Sequence, residues 1–403
     1  MLYYLAVLDH GEYQSLNKSQ MHIFCRVTYL LVFISFIHIK GIAQVPTSQK
    51  LDKNMSLQEV DADGIRWFDP KELPFELIGF EWIKQDSVYR RLPVSPDYEI
   101  RDAVDQLANH TAGGQIRFRT DSRRILIRAE IRERSGMYHM PATGQSGFDL
   151  YVLEGNVQRY LKTTRFPHDD TQYEVELFDD NEKQLRSLTL NFPLYNGVNS
   201  VRIGFEEGAV VETPHPFKRL GKIVIYGTSI TQGGCVTRPG MAYSNILSRK
   251  LDIQFVNLGF SGNGRGEPEL AHLINQIEGI TMIILDYEAN ANETITSTIG
   301  PFVEILRLKH PEIPILIMSK TRYASARTGS PDYKLLMHNR DFQRDLVAKR
   351  KKEGDKNIYF LDGSTVLGDD YYECTVDGSH PTDLGSYRIA GALSNAIEEI
   401  LTK

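Results

Sequence analysis

Apolar and polar positions along this chain follow two rhythms, and the change between them falls near Pro214 and Pro216. From about residue 63 to 213, apolar residues alternate with polar ones over short stretches. Gln115-Ile116-Arg117-Phe118-Arg119 and Arg124-Ile125-Leu126-Ile127-Arg128-Ala129 keep this period, with a turn at Asp121-Ser122 between them. Phe148–Leu153, Gln172–Phe178, Arg186–Phe192 and Val201–Phe205 are further strand candidates, each bounded by Gly, Asn, Asp or Pro. Successive side chains of a strand point to opposite faces, so this alternation marks sheets with one dry and one wet face. Regular short strands of this kind predict an antiparallel β-sandwich.

From about residue 219 the strands become continuous apolar runs: Ile223–Tyr226, Ile253–Val256, Met282–Leu285, Ile313–Met318 and Ile358–Leu361. Helical stretches separate them, at Tyr243–Lys250, Glu269–Ile277, Thr294–Lys309, Tyr333–Lys352 and Leu384–Leu401. Strands apolar on both faces, alternating with helices, predict a parallel sheet covered on both sides. Five of them joined by right-handed crossovers give an α/β domain with a flavodoxin-like, doubly wound five-stranded sheet. The expected organisation is therefore a leader at 1–43, a polar linker at 44–62, a β-sandwich at 63–213 and an α/β domain at 219–403.

The leader reads as an export signal. Thr28–Ile37 is an apolar run preceded by His22 and Arg26 and followed by Gly41-Ile42-Ala43, a small-x-small cleavage site. About ten apolar residues are too few to cross a bilayer as a helix. Met21 is the natural start of such a peptide, and a periplasmic or secreted protein without stable membrane insertion is expected, with an uncleaved N-terminal anchor as the alternative. The chain of 403 residues carries a formal net charge of -6 with basic and acidic residues mixed throughout, which leaves no basic stripe for nucleic acid. The one dense basic run, Lys349-Arg350-Lys351-Lys352, ends a helical pattern, where the helix dipole favours cations.

Chemistry-bearing residues fall just after the strands of the second half, which is where open α/β sheets place their sites. Ser229, in Gly227-Thr228-Ser229-Ile230-Thr231, sits on a strand-to-helix turn and is either a nucleophile or a helix N-cap. It is not the Gly-x-Ser-x-Gly elbow, because position 231 is Thr. Asn257-Leu258-Gly259-Phe260-Ser261-Gly262-Asn263-Gly264 could bring backbone N–H groups close to a ligand oxygen, or be an ordinary turn. Asn290, in Asp286-Tyr287-Glu288-Ala289-Asn290, could donate its amide to an oxyanion, or cap a turn. In Asp377-Gly378-Ser379-His380-Pro381 a carboxylate three residues before a histidine can fold back onto Nδ1, leaving Nε2 free to take a serine proton. A structural or metal-binding histidine is the alternative, although no His-Glu-x-x-His or Cys-x-x-Cys motif accompanies it.

In this order the blocks resemble those of the SGNH (GDSL-like) hydrolases, over essentially the whole second half. The resemblance implies a triad of Ser229, His380 and Asp377. It also implies an oxyanion hole from the Ser229 N–H, the Gly262 N–H and the Asn290 side chain. Thr228, Ile230 and the stretch Glu288-Ala289-Asn290-Ala291 depart from the usual residues at their positions, which bears on substrate range more than on chemistry. Gly147-Phe148-Asp149-Leu150-Tyr151 is similar to the GxDLY motif of a module found upstream of one SGNH branch, and an edge strand of the sandwich is its expected role. Cys235–Ala242 also looks like that branch.

The implied function is an exported serine esterase acting on short acyl, chiefly O-acetyl, esters of carbohydrate through an acyl-enzyme. A small-molecule or oligosaccharide ester is the expected partner, and no metal or organic cofactor is required. A lipid or thioester acylhydrolase is one alternative, and a non-catalytic carbohydrate-binding surface protein is another. Trp67, Trp82 and Tyr89 either line a sugar surface or pack in the core. Arg238 and Arg322 are either substrate contacts or members of structural ion pairs. Cys235 and Cys374 flank the serine and histidine loops, which converge at one end of the sheet. A disulfide between them is expected, with two buried thiols as the alternative.

Overall fold

The computed structural model describes residues 60–402, so the expected leader and nearly all of the expected linker lie outside the described residues. The front half folds into two antiparallel sheets. One has the order β1-β9-β4-β7, built from β1 (Ile65–Phe68), β4 (Arg124–Ile131), β7 (Gln172–Asp179) and β9 (Val198–Glu206). The other has the order β10-β3-β8-β5-β6, with β2 also paired to β3. Its strands are β2 (Glu76–Ile78), β3 (Gln115–Thr120), β5 (Asp149–Glu154), β6 (Val157–Thr163), β8 (Arg186–Asn191) and β10 (Val211–Glu212). Ile116, Phe118 and Leu190 from one sheet meet Ile125, Ile127 and Ile203 from the other in one shared core. The expected turn at Asp121-Ser122 is a corner rather than a hairpin, because β3 and β4 belong to different sheets. Ser122 Oγ donates to Arg124 O at 2.6 Å and Asp121 Oδ1 accepts from Val210 N at 2.8 Å, which satisfies the backbone where the chain changes layer.

The second half is a five-stranded, all-parallel sheet in the order β12-β11-β13-β14-β15: β11 (Lys222–Gly227), β12 (Gln254–Gly259), β13 (Ile280–Asp286), β14 (Ile315–Met318) and β15 (Ile358–Leu361). The first strand lies second in the sheet, so the direction of winding reverses beside β11 and opens a crevice at the carboxyl ends. Alternate β11 residues serve opposite cores. Val224 and Tyr226 pack with Leu270, Phe302 and Val303, whereas Ile223 and Ile225 pack with Leu247, Ile389 and Leu393. The covering helices are α3 (Tyr243–Leu251) and α8 (Asp383–Leu401) on one face, and α4 (Pro268–Ile274) with α6 (Ile295–Lys309) on the other. The helix α7 (Pro331–Lys352) begins at Ser330, whose side chain accepts from Tyr333 N, and ends in the basic run Lys349–Lys352.

The two halves belong to one compact unit. The short helix α1 (Asp102–Leu107) contributes Val104, and nearby Leu92 and Ala108 join the core of the α/β sheet. Among the described residues no helix is long and apolar enough to cross a membrane.

Candidate active site

The turn after β11 is built by its neighbours in sequence. Thr228 is the N-cap of α2 (Ser229–Gln232): its Oγ1 accepts from Ile230 N at 3.3 Å, while Thr231 Oγ1 accepts from Thr228 N at 3.1 Å. This reciprocal cap makes Thr228, not Ser229, the N-cap of the helix. The capping work falls to Thr228 and Thr231, and the Ser229 hydroxyl is left for another partner. Gly227 is required by closeness rather than by its dihedral angles. A Cβ there would lie 1.9 Å from Thr231 Oγ1 and 2.6 Å from Asp286 O.

That partner is His380. Ser229 Oγ stands 2.9 Å from His380 Nε2, and His380 Nδ1 stands 2.7 Å from Asp377 Oδ2. The carboxylate also accepts from His380 N at 2.8 Å and Ser379 N at 3.0 Å, so the loop folds back on one turn as its spacing predicts. Partial burial works to raise the Asp377 carboxyl. The His380 backbone and ring and the Ser379 N–H outweigh it and hold the group well below the usual carboxylate range. An ionised Asp377 places the imidazole proton on Nδ1 and leaves the Nε2 lone pair facing Ser229.

The three residues expected to form an oxyanion hole come from adjoining segments. Ser229 opens α2, where a backbone N–H has no partner within the helix. Gly262 has φ +69°, in the left-handed region, with open space where a side chain would stand. Asn290 lies in α5 (Glu288–Ala291), and its Oδ1 accepts from Gly264 N at 3.3 Å, which leaves its NH2 for a ligand. Gly264 packs so closely on Gly227 that a Cβ would lie 2.0 Å from Gly227 O, so the loops after β11, β12 and β13 are pressed together.

Behind the serine, Asp286 is fully buried. It accepts from Tyr243 OH at 2.7 Å and Thr231 Oγ1 at 3.0 Å. Burial pushes its carboxyl up to about 7, against those two hydrogen bonds.

Residues of the front half brace this site, and no local pattern in the sequence marks them. Tyr195 OH donates to Ser229 O at 3.0 Å. Gln232 Nε2 donates to Leu194 O at 3.0 Å, and its Oε1 accepts from Ser261 N at 3.0 Å. Arg91 is fully buried; its guanidinium donates to Leu107 O and His110 O at 2.7 Å and also reaches Asn257 O and Gly259 O at the end of β12. His139, from the loop between β4 and β5, sets its ring edge-on to His380 with centroids 5.6 Å apart. These partners lie tens of residues or more apart in the chain.

Several expectations are corrected. Cys235 and Cys374 are both buried and unbridged. The serine and histidine loops do converge, but the backbone ties them, with Cys235 N donating to Pro381 O at 3.2 Å. The thiols enter different cores: Cys235 packs with Met140, Leu194 and Tyr195, while Cys374 lies under α8 with Arg388 donating to its Sγ at 3.2 Å. Arg238 makes the structural ion pair that was the alternative to a substrate contact. It pairs with Asp149 Oδ2 at 2.9 Å, bonds Tyr151 OH and stacks over Tyr160. Arg322 is likewise held by its own loop, through Ala326 O at 2.9 Å and Thr328 Oγ1 at 3.1 Å, over the Tyr371 ring.

The Gly147–Tyr151 motif is not an edge strand, since β5 lies between β8 and β6. Its Asp149 is fully buried and accepts from Asn191 Nδ2 and Gly240 N, both at 2.8 Å, so the motif fastens the sandwich to the loop before α3. The aromatic residues weighed for a sugar surface are packing residues. Tyr89 is buried, Trp82 packs on the α/β core, and Trp67 lies under Arg128 with Nε1 bonded to Asp61.

A model of the GDSL-like lipase/acylhydrolase family matches residues 221–398, and a model of the N-terminus of SGNH-hydrolase-type esterases matches residues 65–211. Among solved structures, the chain is similar to a protein from Bacteroides ovatus described as a GDSL-like lipase. The two share 30% identity over 84% of this chain and 98% of that one, with a TM-score of 0.77. A salicylyl-acyltransferase from a tetracycline biosynthetic pathway shares the fold at 20% identity, over 84% of this chain and 98% of that one, with a TM-score of 0.68. A family two carbohydrate esterase from Cellvibrio japonicus shares it at 14% identity, with the same coverage and a TM-score of 0.53. No curated protein matches the chain.

Proposed function

The chain belongs to the GDSL-like lipase/acylhydrolase family, and from that premise we propose that it is an exported serine esterase that removes short acyl groups, acetyl above all, from carbohydrate. The observation that carries the reading is the continuous relay from Ser229 Oγ to His380 Nε2 at 2.9 Å and from His380 Nδ1 to Asp377 at 2.7 Å.

His380 removes the hydroxyl proton as Ser229 Oγ attacks the ester carbonyl, and Asp377 stabilises the imidazolium that forms. The Ser229 and Gly262 N–H groups and the Asn290 amide receive the oxyanion of the tetrahedral intermediate. The intermediate collapses, His380 gives its proton to the leaving alcohol, and the acyl group stays on Ser229. Water, deprotonated by the same imidazole, then releases the acid. Carbohydrate as the alcohol follows the precedent of the carbohydrate esterase among the fold relatives, and export follows the leader pattern around Thr28–Ile37.

The test is acetate release from acetylated xylan and mannan beside hydrolysis of p-nitrophenyl butyrate, with Ser229→Ala as control. The variant should lose about 10⁴-fold or more in kcat. Unchanged turnover by Ser229→Ala would end the triad reading. Activity on the butyrate ester with none on either glycan would replace the carbohydrate by another alcohol.

A further inference from the structure

Two donor residues outside the triad, His139 and Cys235, meet beside His380. His139, Cys235 and His380 each offer one ligand atom, and these atoms lie within 4.8 Å of one another. Among the described residues, neither nitrogen of His139 has a hydrogen-bond partner. Nδ1 is buried without a partner, and Nε2 stands 4.0 Å from Asp377 Oδ2. Buried polar atoms in folded proteins are nearly always bonded, so an orphaned imidazole nitrogen calls for a ligand. The ring is nonetheless fixed in place, stacked on Tyr138 at 4.3 Å and edge-on to His380. The Cys235 thiol is buried and unbridged, and the triad proposed above makes no use of it.

From this geometry we infer a zinc-binding, inhibitory site formed by His139, Cys235 and His380. Two imidazoles and a thiol are the donors of zinc and its borderline-soft neighbours, whereas magnesium and calcium take oxygen. A tetrahedral zinc holds its ligands about 2.0–2.3 Å away, and therefore about 3.3–3.8 Å from each other. The widest separation allowed here, 4.8 Å, has to close by about 1 Å. On binding, the thiol proton leaves to solvent, one Zn–S and two Zn–N bonds form, and nothing is oxidised or reduced. The Asp377 carboxylate offsets part of the ion's charge. His380 Nδ1 is bonded to Asp377 and Nε2 faces Ser229, so an ion on either ring nitrogen breaks one arm of the relay. The fourth position goes to water. The ion is thus a brake on the reaction and not a cofactor for it.

The inhibitory half of this inference rests on His380 being the general base; the binding half does not. The full chain, stripped of metal, is titrated with Co²⁺ and then with Zn²⁺ while absorption and ester hydrolysis are followed. A thiolate-to-cobalt charge-transfer band should saturate at one ion per chain and vanish as zinc replaces cobalt. Hydrolysis should fall in parallel and return with a chelator. Loss of an outer-shell partner alone weakens metal binding by about 10–100-fold, so removing a ligand should cost more than about 100-fold. Cys235→Ala should abolish the band and raise the zinc needed for half-inhibition by at least that factor, relative to its own zinc-free rate. His139→Ala should show the same loss of affinity, and Cys235→Ser serves if the alanine variant does not fold. Ser229→Ala, silent as an enzyme, should still show the band, so the site can be read even if the esterase reading fails. Absence of the band in the unmodified protein, or equal zinc sensitivity in Cys235→Ala, overturns the inference.

Discussion

The α/β half and the sandwich stand in opposite relations to the site. Every residue of the proposed triad and oxyanion hole lies in a segment that follows β11, β12, β13 or β15, within the half that alternates strand and helix. The sandwich supplies none of them, yet Tyr195, Arg91 and Asp149 hold the loops that do. A parallel sheet places its loop ends in one crevice because all its strands point the same way. It does not fix how those loops sit to within a fraction of an ångström, and the second layer of protein does that here. The chemistry and its precision therefore come from different halves of the chain.

That division can be broken at its catalytic end first. Asn290→Ala removes one oxyanion donor and should lower kcat by about 100–1000-fold with little change in melting temperature. A loss below about tenfold would take Asn290 out of the hole. On the sandwich side, Arg238→Ala strips a fully buried Asp149 of its cation and should cost about 3 kcal/mol of stability in denaturant unfolding. A cost under about 1 kcal/mol would show that Asn191 and the Gly240 N–H suffice to hold the carboxylate.

Asp286 tests the rigid support beneath the serine. Its folded carboxyl titrates near 7 against a usual value of 3.8, so the folded state holds a proton that the unfolded state has released. Stability should fall by about 1.4 kcal/mol for each pH unit between those values as pH rises, and level off above them. Asp286→Asn should remove this slope from melting curves measured between pH 4 and 7. A variant as pH-dependent as the parent would assign the slope to other groups. The smallest effect belongs to Tyr195→Phe, which deletes one bond to the Ser229 carbonyl. About 1 kcal/mol of stability and a roughly fivefold drop in kcat/KM are expected. No change in rate would reduce Tyr195 to packing alone.

How far the sequence could be read follows the same line. The five parallel strands are legible because each is a short apolar run between helices of clear amphipathic period. The sandwich is less so. Residues 115–120 and 124–131 show their alternation, but Ile65–Phe68, Glu76–Ile78 and Val157–Thr163 carry too little pattern to stand out. The third of these is mostly exposed on both faces, so burial leaves no period in it. The Asp377-x-x-His380 bond was readable because three residues span one turn of chain. The uses of Arg238, Arg322 and the two cysteines were not. Whether a guanidinium meets substrate or a buried aspartate 89 residues away depends on how the layers pack.

Local pattern and spacing thus determined the sheet class of each half, the order of the proposed catalytic blocks and the geometry within the Asp377–His380 turn, because periodicity and short-range sterics act over a few residues. Tertiary structure alone decided that Thr228 rather than Ser229 caps the helix beside Asp286. It also decided that the GxDLY aspartate clamps one layer to the other, and that Cys235 faces His139 and His380 instead of Cys374. Those outcomes depend on which side chains are brought within about 3–5 Å when two layers close, and polar groups buried by that closure must find whatever partners the packing offers.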